Sequence, residues 1–338
     1  MTQPVLKLNN VCVDYDMEEG TVHAVRGATY ELMDNETLAL VGESGCGKSQ
    51  SSYAAIGLVQ PPGRVSGEIL FWPRNDAPPI NLLGFSRNSK DIRKIRGGKI
   101  AMIFQEPMSS LSPVHRIGKQ IDEVLKLHTD LAPDQRVQQA VELLGKVGIP
   151  DPARQYNRYS FEFSGGMRQR IMIAIALACN PRVLFADEPT TGLDVTIQAQ
   201  ILELIRELQK RTGMSVILIT HDLAVVAERA DRVAIMYLGR IVELADVYSL
   251  FATPRHPYTV ALMRSVIGSP LAADGRLATI RGTVPGPLED VPGCPFHPRC
   301  DRFIPGICDR IVPQFKPVDD KTMAACHLYN GGPKGARP

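Results

Sequence analysis

The eight residues Gly42-Glu43-Ser44-Gly45-Cys46-Gly47-Lys48-Ser49 follow the apolar run Leu38-Ala39-Leu40-Val41 and precede a helix-compatible segment. They stand where a strand turns into a helix. Glycines at 42, 45 and 47 let the backbone bend until successive N–H groups point at one anion, and the start of the next helix adds positive potential. The occupant predicted is phosphate, with Lys48 reaching the β- and γ-phosphates and the Ser49 hydroxyl a magnesium ligand. A glycine-rich turn without a ligand is the competing reading; the strand before it and the helix after it favour the nucleotide.

At 338 residues the chain accommodates a large α/β domain and a smaller appended region. Lys plus Arg total 38 against 36 Asp plus Glu, so the charge balance carries no nucleic-acid footprint. The longest wholly apolar run, Ile171 to Cys179, is far short of the ~20 residues that span a bilayer, and the first residues lack a basic-then-apolar signal pattern. The expectation is a soluble, cytoplasmic chain able to dock on a membrane protein.

Strands are predicted over Leu6–Tyr15 and Val22–Leu32, forming an antiparallel layer. Tyr15 ends the first, where its ring could stack on adenine or be an ordinary strand aromatic. A helix to about Leu58 follows the loop, then a strand from Gly67 to Phe71, and Trp72 to Lys90 reads as a surface loop. Lys99 to Phe104 is a short apolar strand leading into Gln105. From Pro107 to Phe163 the period turns helical, with Ile117-Ile121-Val124-Leu125 and Val137-Val141-Leu144-Val147 as the apolar faces of an insert. A helix over Ser164–Ala178, strand Val183–Ala186, helix Ile197–Arg211, strand Ser215–Thr220, helix Leu223–Arg229 and strand Val233–Tyr237 imply a mainly parallel sheet covered on both faces.

Polar residues end several of these strands. Asp187 suits magnesium and Glu188 is the candidate general base, with strand alternation turning the two side chains apart. Gln105 could contact both magnesium and water, and His221 could reach the γ-phosphate. Ligands of α/β sheets bind beyond the carboxyl ends of the strands, so these ends and the phosphate loop belong together. Ser164-Gly165-Gly166 opens a helix with a second anion-binding terminus, separated from the first by the whole insert. That separation invites a dimer in which each chain offers this turn to the other's ATP, against the plainer reading of a helix cap with glycines for close packing.

These residues resemble the ATP-binding cassette of ABC transporters over about residues 5 to 250: phosphate loop 42–49, Gln105 of the Q-loop, Ser164-Gly165-Gly166 of the signature, Asp187-Glu188 of Walker B, Gly192-Leu193-Asp194 of the D-loop and His221 of the switch. The implied fold is an ABC-type P-loop ATPase with a mainly parallel core sheet, an antiparallel β layer, a helical insert (about 107–178) and a small Cys-rich C-terminal extension. Its domains are 1–250 and 251–338. The implied ATP site takes Tyr15, Gly42, Glu43, Ser44, Gly45, Cys46, Gly47, Lys48, Ser49, Gln50, Gln105, Asp187, Glu188 and His221, with Glu188, His221 and Gln105 in catalysis. Magnesium is held by Ser49, Gln105 and Asp187; Ser164, Gly165, Gly166 and Asp194 act in trans. Phe163 and Met167 depart from the usual signature without removing a phosphate ligand. Cys46 replaces a more common Ser, which raises oxidant sensitivity as an expectation.

Met102 to Leu111, His256-Pro257-Tyr258-Thr259 and Gly293-Cys294-Pro295-Phe296-His297-Pro298-Arg299-Cys300 are similar to the oligopeptide and dipeptide permease ATPases. That branch implies a second, related ATPase chain, two transmembrane permease subunits, an external solute-binding protein and a place on the cytoplasmic face of the inner membrane. The cargo is peptides, with nickel or oligosaccharides as alternatives. A soluble ABC-type ATPase without a membrane partner and a P-loop kinase are the rival functions. Beyond Phe251 the chain is rich in Pro, Gly and Arg, a segment expected to bury little apolar surface and to need a staple. Cys294, Cys300, Cys308 and Cys326, at intervals of five, seven and seventeen residues, leave open buried thiols, a structural zinc with His297, or an iron–sulfur cluster. The resemblance implies a 4Fe-4S cluster, with Zn2+ the alternative.

Overall fold

The computed structural model describes residues 3–105, 110–265 and 280–329. Its strands are β1 (Pro4–Met17), β2 (Gly20–Met33), β3 (Thr37–Val41), β4 (Gly63–Phe71), β5 (Ile80–Asn81), β6 (Ile100–Ile103), β7 (Val183–Asp187), β8 (Ser215–Ile219), β9 (Arg232–Tyr237), β10 (Arg240–Asp246), β11 (Lys316–Pro317) and β12 (Thr322–Ala324). Its helices include α1 (Lys48–Ala55), α2 (Lys90–Ile95), α3 (Ile117–His128), α4 (Pro133–Lys146), α5 (Pro152–Gln155), α6 (Gly165–Leu177), α7 (Val195–Thr212), α8 (Leu223–Arg229), α9 (Val247–Ala252) and α10 (Pro257–Arg264). They gather into two compact units interleaved along the chain, the described residues of the first being 3–6, 32–37, 70–105 and 110–219 and of the second 7–31, 38–69, 220–265 and 280–329.

In the first unit β6, β7 and β8 run parallel, with Ile103 opposite Ala186 and Asp187 opposite Ile219. All three strands are buried along their whole length, which is why they read as unbroken apolar runs instead of an alternation. Ile117, Ile121 and Leu125 form the buried stripe of α3. On α4 the stripe is Ala140, Leu143 and Leu144, continued by Val147, while Val137 is 41 % exposed. The expected Val137 face is therefore displaced, because Ala140 takes a core position that a count of large apolar residues passes over. Trp72 and Leu82 are buried, and β5 pairs antiparallel with β4 through Phe71 and Ile80, so residues 72–90 are more than a surface loop. Glu106 to Ser109, part of the segment expected to carry the permease resemblance, lie outside the described residues.

In the second unit β3 and β9 are parallel, with Leu38 opposite Arg232 and Val41 opposite Ile235. The chain then reverses through Leu238-Gly239, both at positive φ (42° and 77°), the two-residue turn that matches strand twist in a hairpin. β10 pairs antiparallel with β9 and with β12, and β12 with β11, adding an antiparallel flank to the parallel strands. β2, β1 and β4 neighbour one another in that order in a separate layer. The tail does not behave as a poorly buried appendage. Tyr258, Met263, Cys294, Phe296 and Cys308 share one apolar cluster with Ala39, Val41, Ile235 and Tyr237. Among the described residues no helix is long and apolar enough to cross a membrane.

Candidate functional site

The loop after β3 is shaped by its own backbone before any ligand is considered. A Cβ on Gly42 would run into the Met236 carbonyl, so only glycine fits beside the end of β9. Gly47 caps α1 at φ 102°, and Lys48 is the first helical residue. Lys48 is 7 % exposed and its ammonium donates to the carbonyls of Gly42 (2.8 Å) and Glu43 (3.0 Å), and the Gly239 N–H donates to Cys46 O (2.8 Å). Burial pushes the Cys46 thiol up, so it holds little thiolate at neutral pH, which argues against the expected oxidant sensitivity. Ser44 and Gly45 are exposed, whereas Ser49 and Gln50 are half-buried. Gln50 Oε1 accepts from the Tyr15 hydroxyl at 2.6 Å, fixing that half-buried ring against α1.

His221 is exposed. It sits between two fixed points: Thr220 N–H donates to Leu40 O (3.4 Å), and Asp222 caps α8 by accepting from Ala224 N (2.9 Å) and Val225 N (3.3 Å).

The first unit carries the remaining strand-end residues. Asp187, 1 % exposed, is the last residue of β7. Glu188 follows at φ 44° with its N–H on Ile219 O (2.9 Å). Glu188 thus stands after the strand in a left-handed conformation and outside the strand alternation that the sequence suggested, a conformation that costs roughly 1–3 kcal/mol and that surrounding bonds must hold. Glu188 Oε2 accepts from Gln105 Nε2 (3.1 Å) and Thr191 Oγ1 (2.8 Å). Gln105 and Glu188, 83 residues apart, are therefore brought together. Thr191 was missed by sequence reasoning, as was Gln169, 2 % exposed, whose amide donates to Pro189 O at 2.5 Å and ties α6 to the segment after Glu188.

Ser164 Oγ caps α6 by accepting from Met167 N (3.4 Å), and Asp194 Oδ1 caps α7 by accepting from Ile197 N (3.0 Å). Gly166 faces Ile197 closely, whereas a Cβ on Gly165 would meet nothing nearer than Leu193 at 3.9 Å. Ser164, Gly165 and Asp194 are all exposed.

All seven cysteines are free. Burial and the neighbouring thiols push Cys294 and Cys326 up to about 12, and Cys300 up to about 11. Each of Cys294, Cys300 and Cys326 feels the charge of others in the set, and Cys308 acts on all three. Yet among the described residues no group of three or more His, Cys, Asp or Glu is placed to hold a metal ion. His297 Nδ1, offered for zinc, donates to Cys294 O (2.9 Å).

Sequence reasoning also missed a bond network on the loop of residues 42–49 itself. Glu43 N–H donates to the Tyr258 hydroxyl (2.9 Å), and its carboxylate accepts two bonds from the Arg299 guanidinium (2.7 and 3.0 Å). The only signal for it was the aromatic and arginine content of an otherwise Pro-rich tail.

A family model described as ABC transporter matches residues 25–191, and one described as oligopeptide/dipeptide transporter, C-terminal region, matches 242–308. The dipeptide transport ATP-binding protein of Bacillus subtilis is 46 % identical over 97 % of this chain and 96 % of its own, and that of Escherichia coli 44 % identical over 96 % of each. A probable peptide ABC transporter ATP-binding protein of Sinorhizobium fredii is 48 % identical over 93 % of this chain and 91 % of its own. Among solved structures, a dimeric ATP-binding cassette in a post-hydrolysis state with ADP and phosphate is 27 % identical, with a TM-score of 0.62 over 72 % of this chain and 98 % of its own.

Proposed function

Since the chain belongs to the ABC transporter family, in its branch of oligopeptide and dipeptide transport ATP-binding proteins, we propose that this ATPase powers an importer of peptides or related small solutes, nickel and oligosaccharides being the alternative cargoes. One observation carries the reading: identity of 44–46 % with dipeptide transport ATP-binding proteins runs through nearly the full length of both chains. The partners follow: a second, related cassette, two transmembrane permease subunits and, through them, an external solute-binding protein. The working place is the cytoplasmic face of the inner membrane. Residues 1–250 are the cassette and 251–338 the region appended to it. Co-purification with two multi-span membrane proteins is the expected result, and a chain that never associates with them would point to the soluble ATPase instead.

In this reading adenine stacks on Tyr15, and the phosphates lie in residues 42–49 beside Gln50. Magnesium, held by Ser49, Gln105 and Asp187, would neutralise phosphate charge when bound. Glu188 accepts the proton of the attacking water, and His221 reaches the γ-phosphate. The bonds from Gln105 and Thr191 to Glu188 Oε2 support that role, because they hold the carboxylate in place. Ser164, Gly165, Gly166 and Asp194 act on the nucleotide of a second cassette. Glu188→Gln keeps the shape and removes the base, so turnover should fall roughly 100-fold or more while ATP binding stays and the dimer is trapped. Unchanged hydrolysis in that variant would falsify the assignment.

For the tail we keep a 4Fe-4S cluster on Cys294, Cys300, Cys308 and Cys326 as the first proposal and zinc as the second. Four free thiols, three of them raised in part by the charges of others in the set, support it. The fit is incomplete, because the described residues form no ready ion site, and no step of hydrolysis runs through the cluster. Iron, sulfide and zinc assays on protein purified without oxygen decide it, and zinc without iron overturns the first choice.

A further inference from the structure

Glu43 is the one carboxylate among the eight residues of the phosphate loop. An anion there opposes the binding of another anion unless it is compensated. The compensation comes from far along the chain. Arg299, with its side chain 4 % exposed, forms a two-pronged ion pair with Glu43, the geometry that gives Arg–carboxylate pairs both strength and direction. The guanidinium is itself fixed. Its Nε donates to Arg281 O (3.0 Å), a second nitrogen reaches the Tyr237 hydroxyl (3.4 Å), and it lies 5.8 Å and 5.9 Å from the ring centres of Tyr237 and Phe296. Those rings pack with Tyr258 at centroid distances of 4.6 to 5.3 Å. Tyr258 is fully buried, and its hydroxyl takes the Glu43 N–H. The Glu43 carbonyl in turn takes a bond from Lys48. One loop residue is thereby held at its amide, its carboxylate and its carbonyl.

We propose that Arg299 and Tyr258 are positioning residues of the nucleotide site, which cancel the charge of Glu43 and set the backbone of the phosphate loop for the triphosphate. The proposal rests on residues 42–49 being that loop. It makes the C-terminal region a working part of ATP binding and not only an accessory to the cassette. Removing Arg299 leaves a carboxylate unpaired beside the phosphates, a heavier loss than removing the whole pair.

The test uses the full-length chain, a fluorescent ATP analogue for affinity, ATP hydrolysis for KM and kcat, and circular dichroism for folding. Arg299→Met should weaken ATP binding roughly ten-fold, with KM rising by more than kcat falls. Adding Glu43→Gln to Arg299→Met should restore most of the lost affinity, a rescue that a merely structural role does not produce. Tyr258→Phe, which deletes one oxygen, should weaken binding by roughly three-fold. Wild-type affinity in Arg299→Met, or a double variant no tighter than the single one, overturns the proposal. If Arg299→Met does not fold, Arg299→Lys and Tyr258→Phe carry the test, and wild-type affinity in both overturns it. Lys48→Ala is the control: if it binds ATP as the wild type does, the loop assignment itself is wrong.

Discussion

Two glycine-rich turns open helices in this chain, and they are held in opposite ways. Around Gly42 the loop is held on several sides: the Met236 carbonyl on one, the Lys48 ammonium turned onto the loop's carbonyls, and Tyr258 and Arg299 on Glu43. Around Ser164-Gly165 there is one cap bond and open surface. A loop confined this closely is preorganised and has little freedom left to lose on binding. An exposed turn on a capped helix is instead a surface that something else completes, which fits its proposed action on a second cassette.

The sharpest way to break the contrast is to add one carbon to each turn. Gly42→Ala should cost about 2–3 kcal/mol, since backbone and not a flexible side chain must move, and ATP binding should be lost with it. A variant that melts and binds nucleotide like the wild type would show the loop to be loosely held after all.

The next effect concerns the segment that holds the confined loop. His256 is fully buried, its Nδ1 accepts the Tyr258 N–H (3.1 Å), and its own N–H donates to the buried Glu243 carboxylate (2.8 Å). Burial pushes His256 down from 6.5 to about 3. Its folded pKa lies below the unfolded one, so the stability it contributes is complete above about pH 6.5 and is lost as pH falls toward 3. The loss is at most about 1.4 kcal/mol per pH unit. Burial pushes Glu243 up, which works in the opposite sense: the folded state takes up that proton first, so stability rises as pH falls through its folded pKa. The difference between wild type and His256→Asn isolates the histidine. Between pH 6.5 and 5.5 the wild type should lose about 1 kcal/mol more than the variant, and parallel melting curves would refute a neutral buried His256.

The same contrast marks what could be seen from the sequence. The loop and the strand ends could be read because each depends on neighbours in sequence: closely spaced glycines for the turn and apolar runs for buried strands. The Ser164 cap likewise follows from its spacing to Met167. The backbone at Glu188 was not legible, because its φ of 44° belongs to the turn after β7 and not to the strand. The tail's family was legible in His256-Pro257-Tyr258-Thr259 and Gly293 to Cys300, but its packing was not. Its strands are two and three residues long, and the bond that gives Arg299 its meaning spans 256 residues. Such a contact is set by topology, which no local period reports.

The smallest expected changes belong to the open turn, and they separate stability from function. Ser164→Ala removes the cap oxygen of α6 and should cost about 1 kcal/mol. Gly165→Ala meets only Leu193 at 3.9 Å and gains helix propensity, so its stability should stay within about 0.5 kcal/mol of the wild type. If the exposed turn serves the nucleotide of another cassette, the added methyl crowds that phosphate and not the chain's own. Turnover in the pair with the second cassette should then fall, while the loop of the Gly165→Ala chain still binds nucleotide as the wild type does. A Gly165→Ala chain that melts like the wild type and hydrolyses ATP at the wild-type rate would reduce Ser164-Gly165-Gly166 to a helix cap with room for close packing.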